Sequence, residues 1–333
     1  MKLFVLVFLS ITVVFAQKKV EHDFYVACWN VENLFDSIDN PDKEDNDFTV
    51  KGIKEWNEQR VSEKLENIAH VMSLMNNGKG PDIIGMIEVE HKYLLDSLCN
   101  TFFPQRDYAV VGYESPDMRG IDNYFIYDES KFNFVDSKAI EVRFYGEEYK
   151  TRDILHVALQ YNDEMVDFFV NHWPSRRGGE ESSQPRRINA SSTLLRYLDS
   201  LNTVRTPPNF VIMGDFNDEP HNYSLSKILN ASKIDENSSL INLSWNFYNE
   251  GKGTHLFQND FNMLDQIIIS GTLIDGKGID YVDGSFEIFK DDSFIYTEGK
   301  SEGAIIPSFK EGEYAGGYAD HLPVAAKFMF IKK

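Results

Sequence analysis

Apolar residues follow two periods along this chain. FYVACW, DIIGMI, NFVIMG and the LDQIIIS run are short and continuously apolar, the pattern of strands buried on both faces. Over 56–75 the period changes: Val61, Leu65, Ile68, Val71, Met72 and Met75 recur at helical spacing, and Asn76-Asn77-Gly78 closes the predicted helix. A helix in KYLLDSLCNTFF and a strand in YAVVGY continue this α/β alternation. Between 123 and 170 come NYFIYD, FNFVDSKAIEVRFY, ILHVALQYN and MVDFFVNHW, strand-like runs joined by short turns such as Asn162-Asp163-Glu164, which predict antiparallel hairpins. A helix is expected over 187–201, with Ile188, Leu194, Leu195 and Leu198 on its apolar face, and a shorter one in YSLSKIL. A Gly- and Asp-rich stretch, 271–317, then precedes the last strand, HLPVAAKFMFI. The pattern predicts an α/β sandwich of two mixed sheets packed face to face, with helices outside, in one domain.

The N-terminus and the charge balance bear on location and partners. MKLFVLVFLSITVVFAQ has a lysine, an apolar stretch too short to span a bilayer and small residues at Val14-Phe15-Ala16. Residues 1–16 therefore read as a signal peptide and 17–333 as an exported domain, periplasmic or extracellular, with no membrane insertion after leader removal. Cys28 and Cys99 lie in apolar surroundings and read as small core residues, with a disulfide left open. The formal charge of −20 repels polyanions unless local cations intervene.

Several apolar runs end in polar strings that carry chemistry: Asn30-Val31-Glu32, Glu88, Asp215-Phe216-Asn217 and Asp320-His321. In an extended segment Asp215 and Asn217 project to one side, placing a carboxylate that can orient water beside an amide that can donate to a phosphoryl oxygen. Taken alone, GDFND is equally a turn after a strand. His321 has the residue type of a general base, and Asp265, at the head of QIIIS, is the best-placed partner to fix its tautomer. Asn30, Glu88, Glu32 and Asp320 offer only oxygen ligands, which suits Mg²⁺ or Mn²⁺ and argues against structural zinc. His172 opens a segment containing Arg176, Arg177, Arg186 and Arg187, a local cationic cluster with the form of a phosphate funnel. Arg152 is a further candidate for a phosphate contact.

The order WNVENLF, IGMIEVE, NHWPSR, GDFND, LDQIIIS and DHLPV resembles the endonuclease/exonuclease/phosphatase superfamily over 24–330. The resemblance implies a four-layer αββα sandwich and divalent-metal-assisted hydrolysis of phosphate esters by in-line attack of water. Asn30 and Glu88, with Asp320 nearby, resemble metal-site residues. His321 with Asp265 resembles the catalytic histidine and its partner, Asp215 the water-activating acid, and Asn217 a phosphate-contacting amide. His172 is similar to a second histidine found in some branches, and Arg152 to an arginine following the central hairpins. Glu32 stands where many relatives have Asp, and Met263 where others have Arg. The RGID segment, from Arg119 to Asp122, matches no family role and reads as a turn. The leading expectation is an exported, monomeric endonuclease, with DNA favoured over RNA. A phosphatase or phosphodiesterase for small organic phosphates or lipid headgroups is the second reading, and a binding module without turnover the third.

Overall fold

The structure is a computed structural model that describes residues 23–233 and 239–332, so the expected leader lies outside the described residues. The elements run β1 (Phe24–Leu34), α1 (Glu58–Gly78), β2 (Ile83–Val89), α2 (Lys92–Phe102), β3 (Tyr108–Gly112), β4 (Asp122–Asp128), β5 (Asn133–Ile140), β6 (Ile154–Tyr161), β7 (Glu164–His172) and α3 (Glu180–Asn202). They continue through β8 (Phe210–Asp215), β9 (Ala231–Ser232), β10 (Leu240–Asn242), α4 (Trp245–Asn249), β11 (His255–Phe257), β12 (Asp260–Asn262), β13 (Asp265–Ser270), β14 (Gly278–Tyr281), β15 (Glu287–Ile288), β16 (Phe309–Lys310), β17 (Glu313–Tyr314) and β18 (Val324–Ile331).

One seven-stranded sheet has the order β14-β18-β1-β2-β4-β3, with β15 also on β18; the other runs β5-β6-β7-β8-β13-β10-β9. Strand alternation explains the layers. Val26 and Cys28 of β1 point into the core between the sheets with Phe125, Phe168, Val211 and Ile267. Ala27 and Trp29 point the other way, onto Leu65, Ile68 and Met72 of α1 and Leu95 of α2. On the far side α3 lays Leu194 and Leu198 against Phe169 and Ile212. The four-layer αββα sandwich expected from the sequence is therefore the architecture.

One helix ends where the sequence pattern places its stop and another differs from it in extent. Helix α1 is capped by Asn57, whose side chain accepts from Gln59 N at 3.0 Å and Arg60 N at 3.1 Å, and its regular geometry ends at Asn76 and Asn77, both at positive φ. Helix α3 begins well before residue 187 and carries Pro185 inside it, a residue that marks a helix boundary in sequence. The 271–317 stretch is partly integral to the fold, because β14 and β15 both pair with β18. Cys28 and Cys99 are buried free thiols.

The topology collects the polar strings at one rim. β1 and β2 are parallel, so Asn30 and Glu88 emerge at the same end. In the second sheet β7 and β8 are parallel while β13 is antiparallel to β8, and the register sets His172, Asp215 and Asp265 side by side across three strands.

Candidate active site

At this rim the second sheet contributes a row of polar residues, and backbone geometry sharpens their placement. Gly214 has φ +152°, and a Cβ there would lie 2.0 Å from the carbonyl oxygen of Asn171, so only glycine lets β8 deliver Asp215 so close to β7. Glu88 and Asn217 both adopt positive φ, at 66° and 50°, a cost that clusters at functional sites.

His321 and Asp265 form the tightest contact: Nδ1 lies 2.6 Å from Asp265 Oδ2. The same oxygen accepts the Thr254 hydroxyl at 2.6 Å, while Asp265 Oδ1 is buried without a partner. Trp29 Nε1 donates to the His321 carbonyl at 2.8 Å, fixing the backbone. Burial opposes a charged ring at His321, but the carboxylates of Asp265, Asp215 and Asp320 outweigh it and hold its pKa well above the ordinary histidine value.

Asp215 lies at the centre. Its Oδ2 accepts from Asn30 Nδ2 at 3.2 Å and Asn217 Nδ2 at 3.3 Å, and Oδ1 accepts the Asn217 backbone N–H at 2.9 Å. Burial raises its pKa, partly opposed by His321. His172 Nε2 stands 3.6 Å from Asp215 Oδ2 and 3.7 Å from Glu88 Oε1, and His321 Nε2 lies 4.0 Å from Asp215 Oδ2. These separations exceed a direct hydrogen bond and suit a water or ion held between the groups. Burial and the positive charges of Arg152, Arg119 and His321 push His172 well below its usual pKa, leaving a neutral ring whose Nδ1 is buried without a partner.

Glu88 is raised by burial and eased chiefly by Arg119; Asp320 adds like charge to it. A buried carboxylate with an exposed acid in its field, beside the amide oxygen of Asn30, is a hard oxygen donor set that fits a divalent cation. His255, Asp320 and His321 also bring possible ligand atoms within 4.8 Å of one another, as do Asp215, Asp265 and His321. A third such group, Asp36, Glu90 and His91, follows the ends of β1 and β2.

Two residues expected to contact phosphate have hydrogen-bond partners within the protein. Arg152 is buried and spends NH1 on Asp117 Oδ2 at 3.0 Å and NH2 on the Trp173 carbonyl at 2.7 Å. Asn217 Nδ2 donates to that same carbonyl at 3.0 Å as well as to Asp215, so both amide hydrogens are engaged. Each supports the rim. Arg176 is also committed, donating from Nε to the Asn217 carbonyl at 2.8 Å and from NH2 to Asn222 Oδ1 at 3.2 Å. Within the arginine cluster, Arg187 is fully buried against Asp218 at 2.6 Å and Arg186 pairs with Glu147 at 3.2 Å, while Arg177 is exposed.

Three residues not singled out from sequence enter the site. His255 packs on His321 with ring centroids 4.5 Å apart and is pushed down to about 4 by burial first and then by His321. Thr254 anchors Asp265 through its hydroxyl. Lys64 of α1 is buried, donating to Ser308 Oγ at 2.6 Å and the Tyr318 carbonyl at 2.5 Å. Burial lowers it to about 8 although Glu32, Asp320 and Glu88 favour its charge. Glu32 in turn turns away to accept from Ser308 N at 2.6 Å, and burial raises it to about 7.

The sequence profile of the Endonuclease/Exonuclease/phosphatase family matches residues 25–333, and the chain belongs to that family. Its fold is similar to a mannosyl-6-phosphatase from Bacteroides thetaiotaomicron, at 15% identity and TM-score 0.58 over 92% of this chain and 100% of that one. It is also similar to a humanised zebrafish TDP2, at 12% identity and TM-score 0.56 over 92% and 98% of the two chains. The human Nocturnin catalytic domain, with bound sulfate, matches at 18% identity and TM-score 0.55 over 92% and 94%. No curated protein sequence matches the chain. The protein is thus a hydrolase of phosphate esters in a divalent-metal-dependent family.

Proposed function

We propose that this protein is an Mg²⁺- or Mn²⁺-dependent hydrolase of small phosphate esters, exported by its leader and acting as a monomer. The observation that carries the substrate class is the commitment of Arg152, Arg176 and Arg187 to partners inside the protein, with Arg186 paired to Glu147 at the surface. With those cations engaged and a formal charge of −20, the arginines of this segment other than the exposed Arg177 are not free to hold a polyanion. The sugar phosphatase among the similar folds supports this reading.

Asn30, Glu88 and Asp320 would hold the cation, which supplies polarisation of a phosphoryl oxygen. Asp215 orients the attacking water and accepts its proton, with Asn30 and Asn217 fixing the carboxylate. His321, anchored at Nδ1 by Asp265, presents Nε2 toward the reacting phosphoryl group and manages the second proton. Neutral His172 donates to charge developing on that group.

The test compares plasmid DNA, RNA, bis-(p-nitrophenyl) phosphate and p-nitrophenyl phosphate with Mg²⁺, Mn²⁺ and chelator. Hydrolysis of the p-nitrophenyl esters with little cleavage of either polymer is expected. Efficient plasmid nicking would restore the endonuclease reading. His321→Ala should remove nearly all turnover while the protein stays folded; full activity in that variant would overturn the site assignment.

A further inference from the structure

The RGID segment matched no role in the sequence, yet the structure brings it to the active-site rim. Arg119 N donates to Asp117 Oδ1 at 2.9 Å and its side-chain Nε lies 3.5 Å from that oxygen. Asp117 Oδ2 holds Arg152, whose NH2 donates to the Trp173 carbonyl, the carbonyl that also receives Asn217. A continuous polar chain therefore links Arg119 to Asp215 through Asp117, Arg152, Trp173 and Asn217. We propose that Arg119 is a substrate-binding residue whose guanidinium takes a non-bridging oxygen of the substrate phosphate and so sets the preference for phosphate esters of high negative charge. The inference rests on the hydrolase reading above.

Three features separate Arg119 from the other arginines near the rim. First, its side chain is 44% exposed, against 3% for Arg152 and 22% for Arg176. Second, its one carboxylate partner among the described residues is shared with Arg152, which holds it at 3.0 Å, so the terminal nitrogens of Arg119 keep free donors. Third, its base is rigid. Lys43 Nζ donates to the carbonyls of Ser115 and Asp117 at 3.0 and 2.8 Å, Glu44 N donates to the Met118 carbonyl at 2.6 Å, and Ser115 N donates to Asp122 Oδ1 at 2.9 Å. Gly120 follows at φ +77°, where a Cβ would meet Lys43 Cγ at 3.3 Å, so the turn after Arg119 needs glycine. A fixed backbone carrying a free guanidinium is a preorganised anion clamp, and the planar fork matches phosphate oxygens.

Inorganic phosphate, titrated calorimetrically into Mn²⁺-loaded His321→Ala and His321→Ala/Arg119→Ala proteins, reads binding without turnover. Loss of the guanidinium should weaken phosphate binding about 10- to 100-fold, as expected for charge-assisted hydrogen bonds. In the otherwise unaltered enzyme Arg119→Ala should raise KM for p-nitrophenyl phosphate more than it lowers kcat, and Arg119→Lys should recover part of the loss. Melting temperatures of all variants should match their parents. Unchanged phosphate affinity overturns the proposal, and so does an equal loss in Arg119→Ala and Arg119→Lys accompanied by a falling melting temperature, which marks a structural arginine. If the unaltered protein releases no phosphate from any ester with either metal, the hydrolase reading fails while the binding comparison still judges Arg119.

Discussion

Asp265→Asn removes one charge from the most buried contact of the site with almost no change in shape. The carboxylate contacts His321 Nδ1 at 2.6 Å and receives the Thr254 hydroxyl on the same oxygen. Unit charges roughly 4 Å apart at an effective dielectric near 20 interact by about 4 kcal/mol. Loss of that term withdraws most of what holds His321 in its charged form, and the matching fall in the protonated fraction corresponds to as much as about a thousandfold in rate. The amide can orient in two ways. With its nitrogen toward His321 it forces the ring to accept at Nδ1, neutral with its proton at Nε2, and the Thr254 hydroxyl to accept as well; comparable substitutions in other triads cost about 10⁴. With its oxygen toward His321, that oxygen still accepts from both Nδ1 and the Thr254 hydroxyl, and only the electrostatic loss remains. The expected fall in kcat is therefore about 10³- to 10⁴-fold with KM little changed, measured by p-nitrophenolate release under saturating Mn²⁺. Thr254→Val deletes one hydrogen bond to the same carboxylate and should cost about 10-fold. An Asp265→Asn enzyme within tenfold of wild type, with an unchanged melting temperature, would refute the pairing of Asp265 with His321 as the engine of proton transfer.

Other outcomes follow from buried charge. Lys64→Met removes the donor to Ser308 Oγ and the Tyr318 carbonyl and the buried positive charge that favours ionised Glu32, and should cost about 2–3 kcal/mol, seen as a drop of roughly 5 °C in melting temperature, with Lys64→Met/Glu32→Gln recovering part of it; a single variant as stable as wild type would refute this. Asp167, near the opposite end of β7 from His172, is held below the usual carboxylate range: burial opposes its charge, but hydrogen bonds from His156 at 2.8 Å and Arg205 at 2.8 Å prevail. A depressed folded-state pKa stabilises the fold fully above the unfolded value near ~4 and is lost as pH falls through the folded value. Denaturant midpoints should accordingly drop on acidification below about pH 4, and Asp167→Asn should flatten that limb; an unchanged acid limb in Asp167→Asn would contradict the sign.

The sequence showed the rim more clearly than it showed how the rim is held. Asn30, Glu88, His172, Asp215 and Asp265 were legible because each ends or begins an apolar run, and parallel pairing of β1 with β2 and of β7 with β8 brings such ends together. Arg152, Arg187 and Asn217 were read as phosphate ligands or free cations because their partners, Asp117, Asp218 and the Trp173 carbonyl, are chosen by tertiary packing and not by spacing. Lys64 did carry a signal: it lies three residues after Val61 and four before Ile68, on the apolar face of α1, a position where a charge needs a buried partner. His255 and Thr254 gave none, since the β11–β12 hairpin is short and its bridge from His255 to His321 is a long-range pairing.

The claim that this rim is a metal-dependent phosphoesterase site is tested most directly by the metal dependence of phosphate release in wild type and Glu88→Gln. Chelated wild-type protein should be inactive and recover with Mg²⁺ or Mn²⁺, while Glu88→Gln should need at least tenfold more metal to reach half of its own maximum. Activity that survives chelation, or a Glu88→Gln metal titration superimposable on wild type, would contradict it.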